Sequence, residues 1–272
     1  RNGFGETMEI DRGGNVPDTG VQSINRAFQI LEALVEHPHG LTIAELVENL
    51  RLNKSTIHRI LQTLLAWGYV SKDERTKCYR LGMQVMALSS HYLNGLELKT
   101  EALPFMEHLQ QQTEIFVHLG ILDGKDVVYL EKIGPYTHFR MYSQIGKRAA
   151  VYSTGLGKAI FANLDEERQA KLLKDMTYEP ITPYTVKDEA AFLAEIRRTK
   201  ERGFAVDDQE NEAGMRCVAA PVFDYTGRVI AAISASGYIN SSFPEEKIDE
   251  FGSYVVECAN GISRQMGDLR RR

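Results

Sequence analysis

Three cysteines in 272 residues, Cys78, Cys217 and Cys258, are too few and too widely spaced for a disulfide framework, and none has a C-x-x-C or Cys/His ligand spacing. The seven histidines are just as scattered. The nearest pair, His37 and His39, flanks Pro38 in an expected loop, so neither a metal site nor a cofactor motif is read. No apolar run approaches the roughly 20 residues needed to span a bilayer, which argues against a membrane partner. Residues 1–20 have neither helical periodicity nor the apolar core of a secretory signal. They are expected to form a disordered arm, with Met8 a candidate natural start, on a cytoplasmic chain.

What is present is an ordinary globular composition, 43% hydrophobic and 25% charged, over a length that suits about two domains. The net charge of -5 argues against a nucleic-acid binder until its distribution is considered. Between Arg51 and Arg80 seven basic residues stand against two acidic ones, so this stretch is net positive on a net negative chain. A locally basic module can hold a phosphate backbone while the acidic remainder discourages non-specific contact.

From Gln22 the pattern is helical, with Ile24, Ala27, Leu31, Leu34 and Val35 read as one apolar face, and the HPHG segment at 37–40 ends it. Thr42 followed by Glu45 has capping-box spacing and opens a short helix that turns Ile43, Leu46 and Leu50 inward. Asn53 caps a third helix running to about Trp67, with Ile57, Ile60, Leu61 and Leu64 as its buried stripe. Its other face then carries Ser55, Arg59 and Gln62, with Lys54, Thr56 and His58 beside them. Two short runs around a charged KDER tip at 72–75 predict a β-hairpin immediately afterwards. This is a winged helix-turn-helix over residues 21–82.

A linker helix is expected over 83–98, with Leu93, Leu96 and Leu98 as packing positions, and a further helix over 101–112 with Pro104 in its first turn. Residues 99–267 then read as an α+β domain. Strands are expected over 115–122, 126–133, 138–145, 204–206, 217–223 and 229–236. Helices should start near Gly155, Asp165 and Asp188, and a long one should run over 244–266.

A recognition helix must present its amino-terminal residues to base edges while its other face packs on its neighbours. In residues 53–62, Ser55 and Thr56 can reach bases or phosphates, Arg59 can pair bidentately with guanine and Gln62 can read adenine. Lys54, Lys72, Arg75 and Lys77 suit phosphate contacts, which position the protein without reading sequence. The bland alternative is the solvated face of a helical bundle. The turn length, the adjoining hairpin and the positive segment together favour the DNA reading.

Ser153, Thr154, Gly155, Leu156 and Gly157 put small residues at a helix start, where free N–H groups favour an anion such as a carboxylate. It is not a P-loop: Tyr152 stands where that motif needs glycine, and Ala159 where it needs Ser or Thr. The alternative reading is that the glycines only permit tight helix packing.

The segments VQSINRAFQILEAL, LTIAELVENLRLNKSTIHRILQTLLAWGYV and YRLG resemble the DNA-binding domain of the IclR family, and STGLGKA and GFAVDDQENEAGMRCVAAPVFD resemble its GAF/PAS-like effector domain with an antiparallel sheet. The resemblance spans roughly residues 21–267. It implies a transcription regulator, often a repressor, that forms a homodimer or dimer of dimers on a near-palindromic double-stranded operator. The run FRMYSQIGKRAAVYSTGLGKAI is similar to the branch that includes the 2-keto-3-deoxygluconate repressor, which implies control of sugar-acid catabolism. The family's effector pocket combines the Gly155-Leu156 turn with positions matching Asp207, Cys217, Ser234 and Ser236, and Met141 on the apolar side. Glu210 and Asn211 are expected to hold the loop, His138 is a weaker pocket candidate, and Cys258 and His91 are read as structural.

Two rivals remain at this point. A carboxylate-processing enzyme using Cys217 or Asp207 would need an activating base, and no histidine follows His138 in the chain. A purely structural DNA-binding protein would have no use for the glycine turn and the strand-borne polar residues.

Overall fold

The computed structural model describes residues 21–94, 97–135 and 144–268. The chain divides between Gly95 and Leu96 into two compact units.

In the first unit, three helices, α1 (Gln22–Glu36), α2 (Ile43–Leu50) and α3 (Lys54–Ala66), are followed by a hairpin of β1 (Val70–Lys72) and β2 (Tyr79–Leu81). The capping box is formed: Thr42 Oγ1 accepts from Glu45 N–H, and the Glu45 carboxylate accepts from Thr42 N–H at 2.7 Å. Arg51, in the left-handed region at φ 53°, ends α2 so that Asn53 can start α3. The core consists of Ile30, Leu34, Leu41, Leu46, Ile57, Ile60, Leu61, Leu64, Val70 and Tyr79. Gly40 permits the hairpin to close on the helices: at φ +86°, a Cβ there would lie 2.6 Å from the Tyr79 carbonyl oxygen.

The inward face of α1 differs from expectation. Ile30 and Leu34 are buried and Ala27 and Leu31 partly so, whereas Ile24 and Val35 are 50% and 59% exposed. At 3.6 residues per turn, positions 27, 30, 31 and 34 form one stripe. Val21, Ile24, Phe28 and Val35 lie off it and are all exposed.

Helix α4 (Met83–Asn94) closes the first unit and α5 (Glu97–Thr113) opens the second, so Leu98 belongs to α5 and not to the linker helix. Pro104 lies inside α5 and not in its first turn, because the helix begins four residues before the expected start. Strands β3 (Phe116–Asp123), β4 (Asp126–Ile133), β5 (Arg148–Ala150), β6 (Ala205–Asp208), β7 (Met215–Phe223) and β8 (Val229–Tyr238) form one antiparallel sheet in the order β5-β4-β3-β8-β7-β6. Between its halves run α6 (Gly155–Ala162), α7 (Glu166–Asp175) and α8 (Glu189–Arg202), and α9 (Ile248–Gln265) ends the fold. Asp165 and Asp188 cap α7 and α8 through their side chains.

The strand expected over 138–145 falls mostly outside the described residues. Ile145 lies in a turn completed by Gly146 at φ 82°, and pairing with β4 is made instead by Arg148–Ala150. Arg148 fixes that edge by bonding the carboxylates of both Asp123 and Asp126.

Strand β7 is buried at all nine residues, so both faces of the sheet are covered there. Cys217 and Ala219 face α6, and by the two-residue strand period Val218 and Ala220 turn to the side where α9 packs. No helix among the described residues is long and apolar enough to cross a membrane.

Candidate functional site

In the first unit, the sequence of α3 sorts its residues by face. Ile57, Ile60, Leu61 and Leu64 are buried, and Lys54, Ser55, His58, Arg59 and Gln62 are exposed on the other side. Thr56 is half-buried and sits at the edge of this surface. Asn53, Lys54, Ser55 and His58 line a shallow, open hollow at the start of the helix. Among the described residues, Lys54 and Arg59 have no carboxylate partner, so their charges are available to an external anion.

The hairpin tip is more constrained than expected. The Asp73 carboxylate accepts the N–H groups of Arg75 and Thr76, closing a tight turn in which Lys77 adopts φ 60°. Lys72 and Lys77 both pair with Glu74, at 3.0 and 2.9 Å, and hold its carboxyl below the usual range. Of the three wing cations proposed as phosphate contacts, only Arg75 is without an acidic partner among the described residues.

In the second unit, strand register assembles a pocket from residues far apart in sequence. On β3, β8, β7 and β6 the pairings Phe116↔Ser236, Ser236↔Cys217 and Cys217↔Asp207 form one row. The pairings His118↔Ser234 and Ser234↔Ala219 form the next. Both rows face α6. Gly155 brings the start of that helix onto the sheet: a Cβ there would meet Cys217 Sγ at 3.0 Å and Ala219 Cβ at 3.3 Å. Gly157 serves packing, since its Cβ would lie 2.4 Å from the Val151 carbonyl oxygen. Close packing is thus the observed role of both glycines.

The resulting cavity has about 40 Å³ of space open to the centre of a water molecule. It is lined by Gly155, Leu156, Asp207, Cys217, Ser234 and Ser236, all six expected, together with His118, Tyr129, Thr154, Asn211, Glu212 and Met215. Met141 and His138 lie outside the described residues. Thr154 caps α6 by accepting the Gly157 N–H at 3.1 Å. The N–H groups of Gly155 and Leu156 in the first turn have no intrahelical acceptor. His118 is buried edge-on to the Tyr129 ring, and burial with the nearby Lys132 charge lowers its pKa to about 3. It is therefore a neutral imidazole, with one donor and one acceptor nitrogen.

Beneath the cavity, Lys158 is fully buried, ion-paired with Glu210 and donating to the Val206 carbonyl at 2.8 Å. Asp207 Oδ1 accepts from Glu210 N–H at 2.8 Å and Asn211 N–H at 3.3 Å. The hydroxyls of Thr182 and Thr185 hold the same turn by donating to the carbonyls of Gln209 and Glu210 at 2.7 and 2.6 Å. Glu210 therefore holds the loop as expected, but Asn211 also reaches the cavity. Burial pushes Asp207 up to about 7 against the pull of Lys158, and burial and Asp207 push the Cys217 thiol up to about 12. A thiol so far from ionisation is a poor nucleophile.

Comparison with known proteins agrees with this division of labour. Residues 23–74 match the IclR helix-turn-helix domain, and residues 90–264 match the bacterial transcriptional regulator IclR C-terminal domain. The chain is 36% identical over 251 residues to the transcriptional regulator KdgR of Escherichia coli (strain K12), covering 92% of this chain and 94% of that one. It is 35% identical over 247 residues to XynR of the same organism, covering 91% and 98%. Among solved structures, Thermotoga maritima IclR matches with a TM-score of 0.76 at 31% identity, covering 90% of this chain and 98% of that one. The C-terminal domain of E. coli KdgR matches with a TM-score of 0.57 at 35% identity, covering 63% and 99%. With both domains matched in order and every one of these relatives a regulator and not an enzyme, the chain belongs to the IclR family of bacterial transcription regulators.

Proposed function

We propose that this regulator is a cytoplasmic repressor of a catabolic operon and that a small carboxylate, a keto acid or sugar acid, controls its hold on DNA. The observation that carries the reading is the cavity itself. Two unpartnered helix-start N–H groups meet a cysteine, two serines and an acid from three strands, which suits a carboxylate at one end and hydroxyl or keto oxygens at the other. The limited space favours a short acid; a six-carbon sugar acid requires the walls to move. Two relatives named as repressors, IclR and AllR of E. coli, support the direction of control.

Lys54, Ser55, Thr56, His58, Arg59 and Gln62 form the base-reading surface, and Arg75, with Lys72 and Lys77 once released from Glu74, grips phosphates. The operator is near-palindromic because the protein acts as a dimer or dimer of dimers. Exposed Val21 just before α1, Ile24, Phe28 and Val35 on it, and Met83, Met86 and Leu88 on α4 supply an apolar surface for a second copy. Residues 83–98 act as the linker that carries the ligand signal from residues 99–267 to the reading heads in residues 21–82.

The test is a thermal-shift screen of sugar acids and short keto acids, followed by anisotropy titration of a labelled duplex from upstream of the protein's own gene. One acid should raise the melting temperature by a few degrees and change duplex affinity by at least about tenfold, since coupling requires unequal binding to two arrangements. An acid that binds without altering duplex affinity overturns the control mechanism, and the absence of any preferred duplex overturns the regulator reading.

A further inference from the structure

Among the described residues around the cavity floor, Lys158, Glu210, Asp208 and Arg216 form direct ion pairs, and Asp207 forms none. Lys158 on α6 is taken by Glu210 and the Val206 carbonyl. Asp208 and Arg216 pair with each other, bidentate at 3.1 Å. Glu212 is on the cavity wall beside Lys132 on β4 and Lys147. Asp207 is different. One of its oxygens is held by two backbone N–H groups, its other oxygen makes no hydrogen bond, and the residue is 7% exposed in the wall of the cavity.

Lys158 acts on Asp207 only through space, its ion pair going to Glu210, and the remaining groups facing Asp207 carry no compensating charge. Cys217 is its strand partner, Ser236 is the next residue in the row, and His118 on β3 is neutral. Among the described residues, no arginine or lysine lines the cavity. An incoming carboxylate would sit at the start of α6, against Cys217, and so about one strand spacing from Asp207. Two carboxylates in a space of this size raise the pKa of one of them.

We propose that the pocket takes up its carboxylate ligand together with one proton, carried on the free oxygen of Asp207, which then donates a hydrogen bond to the ligand. The proposal rests on the carboxylate reading above. The proton comes from solvent and returns to it on release, so no bond other than the O–H forms or breaks. Burial already brings Asp207 to about 7, so the proton is partly in place near neutrality, and the bound anion raises the carboxyl further. The sign follows. Affinity is flat where Asp207 is protonated in the free protein, and weakens by up to about tenfold per pH unit above its free pKa. Such a sensor responds to acidification and to its ligand in the same direction.

The test is isothermal titration calorimetry on the full chain with pyruvate, glyoxylate, D-glycerate and 2-keto-3-deoxygluconate. Each is titrated in two buffers of different ionisation enthalpy, from about pH 6 to about pH 8.5. The tightest binder should take up about 0.9 proton per site near pH 8 and almost none near pH 6. Asp207→Asn, which keeps the Oδ1 acceptor, should bind without proton uptake and with a flat pH profile, while Glu212→Gln should keep the uptake. Binding by the wild type without proton uptake overturns the proposal and leaves the carboxylate reading intact. Uptake that survives Asp207→Asn, or is lost in Glu212→Gln, overturns the assignment to Asp207. Should Asp207→Asn fail to fold, loss of the uptake in Glu212→Gln still overturns the assignment to Asp207, and uptake kept there supports it. Failure of all four acids to bind at any pH overturns the carboxylate reading and this proposal with it.

Discussion

The outer face of α3 and the cavity under α6 treat polar side chains in opposite ways. On α3 the polar groups are exposed, and Lys54 and Arg59 have no carboxylate partner among the described residues. Under α6, Lys158, Glu210 and Asp207 are almost entirely removed from water, and all their polar atoms but one oxygen each of Asp207 and Glu210 are answered by a partner. The difference follows the size of what each region is proposed to meet. A long polyanion supplies its own counter-charges across a broad front, so the protein presents charge freely. A small ligand must be bound inside the protein, where each unanswered charge is expensive. One region trades in exposed electrostatics and the other in satisfied hydrogen bonds.

Substitutions can break or sharpen that contrast. The largest effect belongs to the buried side: Lys158→Met leaves the largely buried Glu210 without its cation. It should cost about 3–5 kcal/mol of the second unit's stability, read as a lowered urea midpoint with the first unit unaffected. An unchanged midpoint would show that the buried charges are solvated after all. Next is Arg59→Ala, exposed and unpaired. It should leave folding intact while removing about tenfold to hundredfold discrimination between operator and scrambled duplex, measured by anisotropy at fixed salt. If both duplexes weaken alike, Arg59 contacts phosphate and reads no base.

Ser234→Ala, at 1% exposure on the cavity wall, should weaken the effector about tenfold in calorimetry and leave duplex affinity unchanged. A change in duplex affinity without ligand would blur the separation of the two regions. The smallest effect is at the wing. Glu74→Gln releases Lys72 and Lys77 and should tighten binding to every duplex by about threefold, with a steeper salt dependence. No change would mean that DNA already displaces those exposed pairs.

The same contrast explains what was legible before any coordinates. The first unit is written in local patterns: the stripe of Ile57, Ile60, Leu61 and Leu64, the Thr42-Glu45 box, and the charged tip between two short runs. Errors there were confined to faces, as when Ile24 and Val35 joined the inward stripe of α1. The pocket is written in strand register, which a single sequence leaves open. Asp207, Cys217, Ser234 and Ser236 were reached through family resemblance, and the glycine turn through helix-start chemistry. His118 and Tyr129 were missed because they face the cavity only through the pairing of β3 with β8 and β4. The one hint was the alternation Phe116, His118, Gly120 in an otherwise apolar strand, and the bulge after Leu119 interrupts even that. Pro104 misled because proline marks a helix start more often than an interior.

The seat of α6 has a consequence for how such a sensor can be retuned. With Gly157 pressed against the Val151 carbonyl and Gly155 against Cys217 and Ala219, the helix is anchored at a distance that no side chain can widen. The end proposed to hold the anion is therefore a fixed socket. New chemical preferences have to be introduced through the movable furniture opposite, at Leu156, Tyr129 and Met215, whose bulk sets how long a molecule the socket can accept.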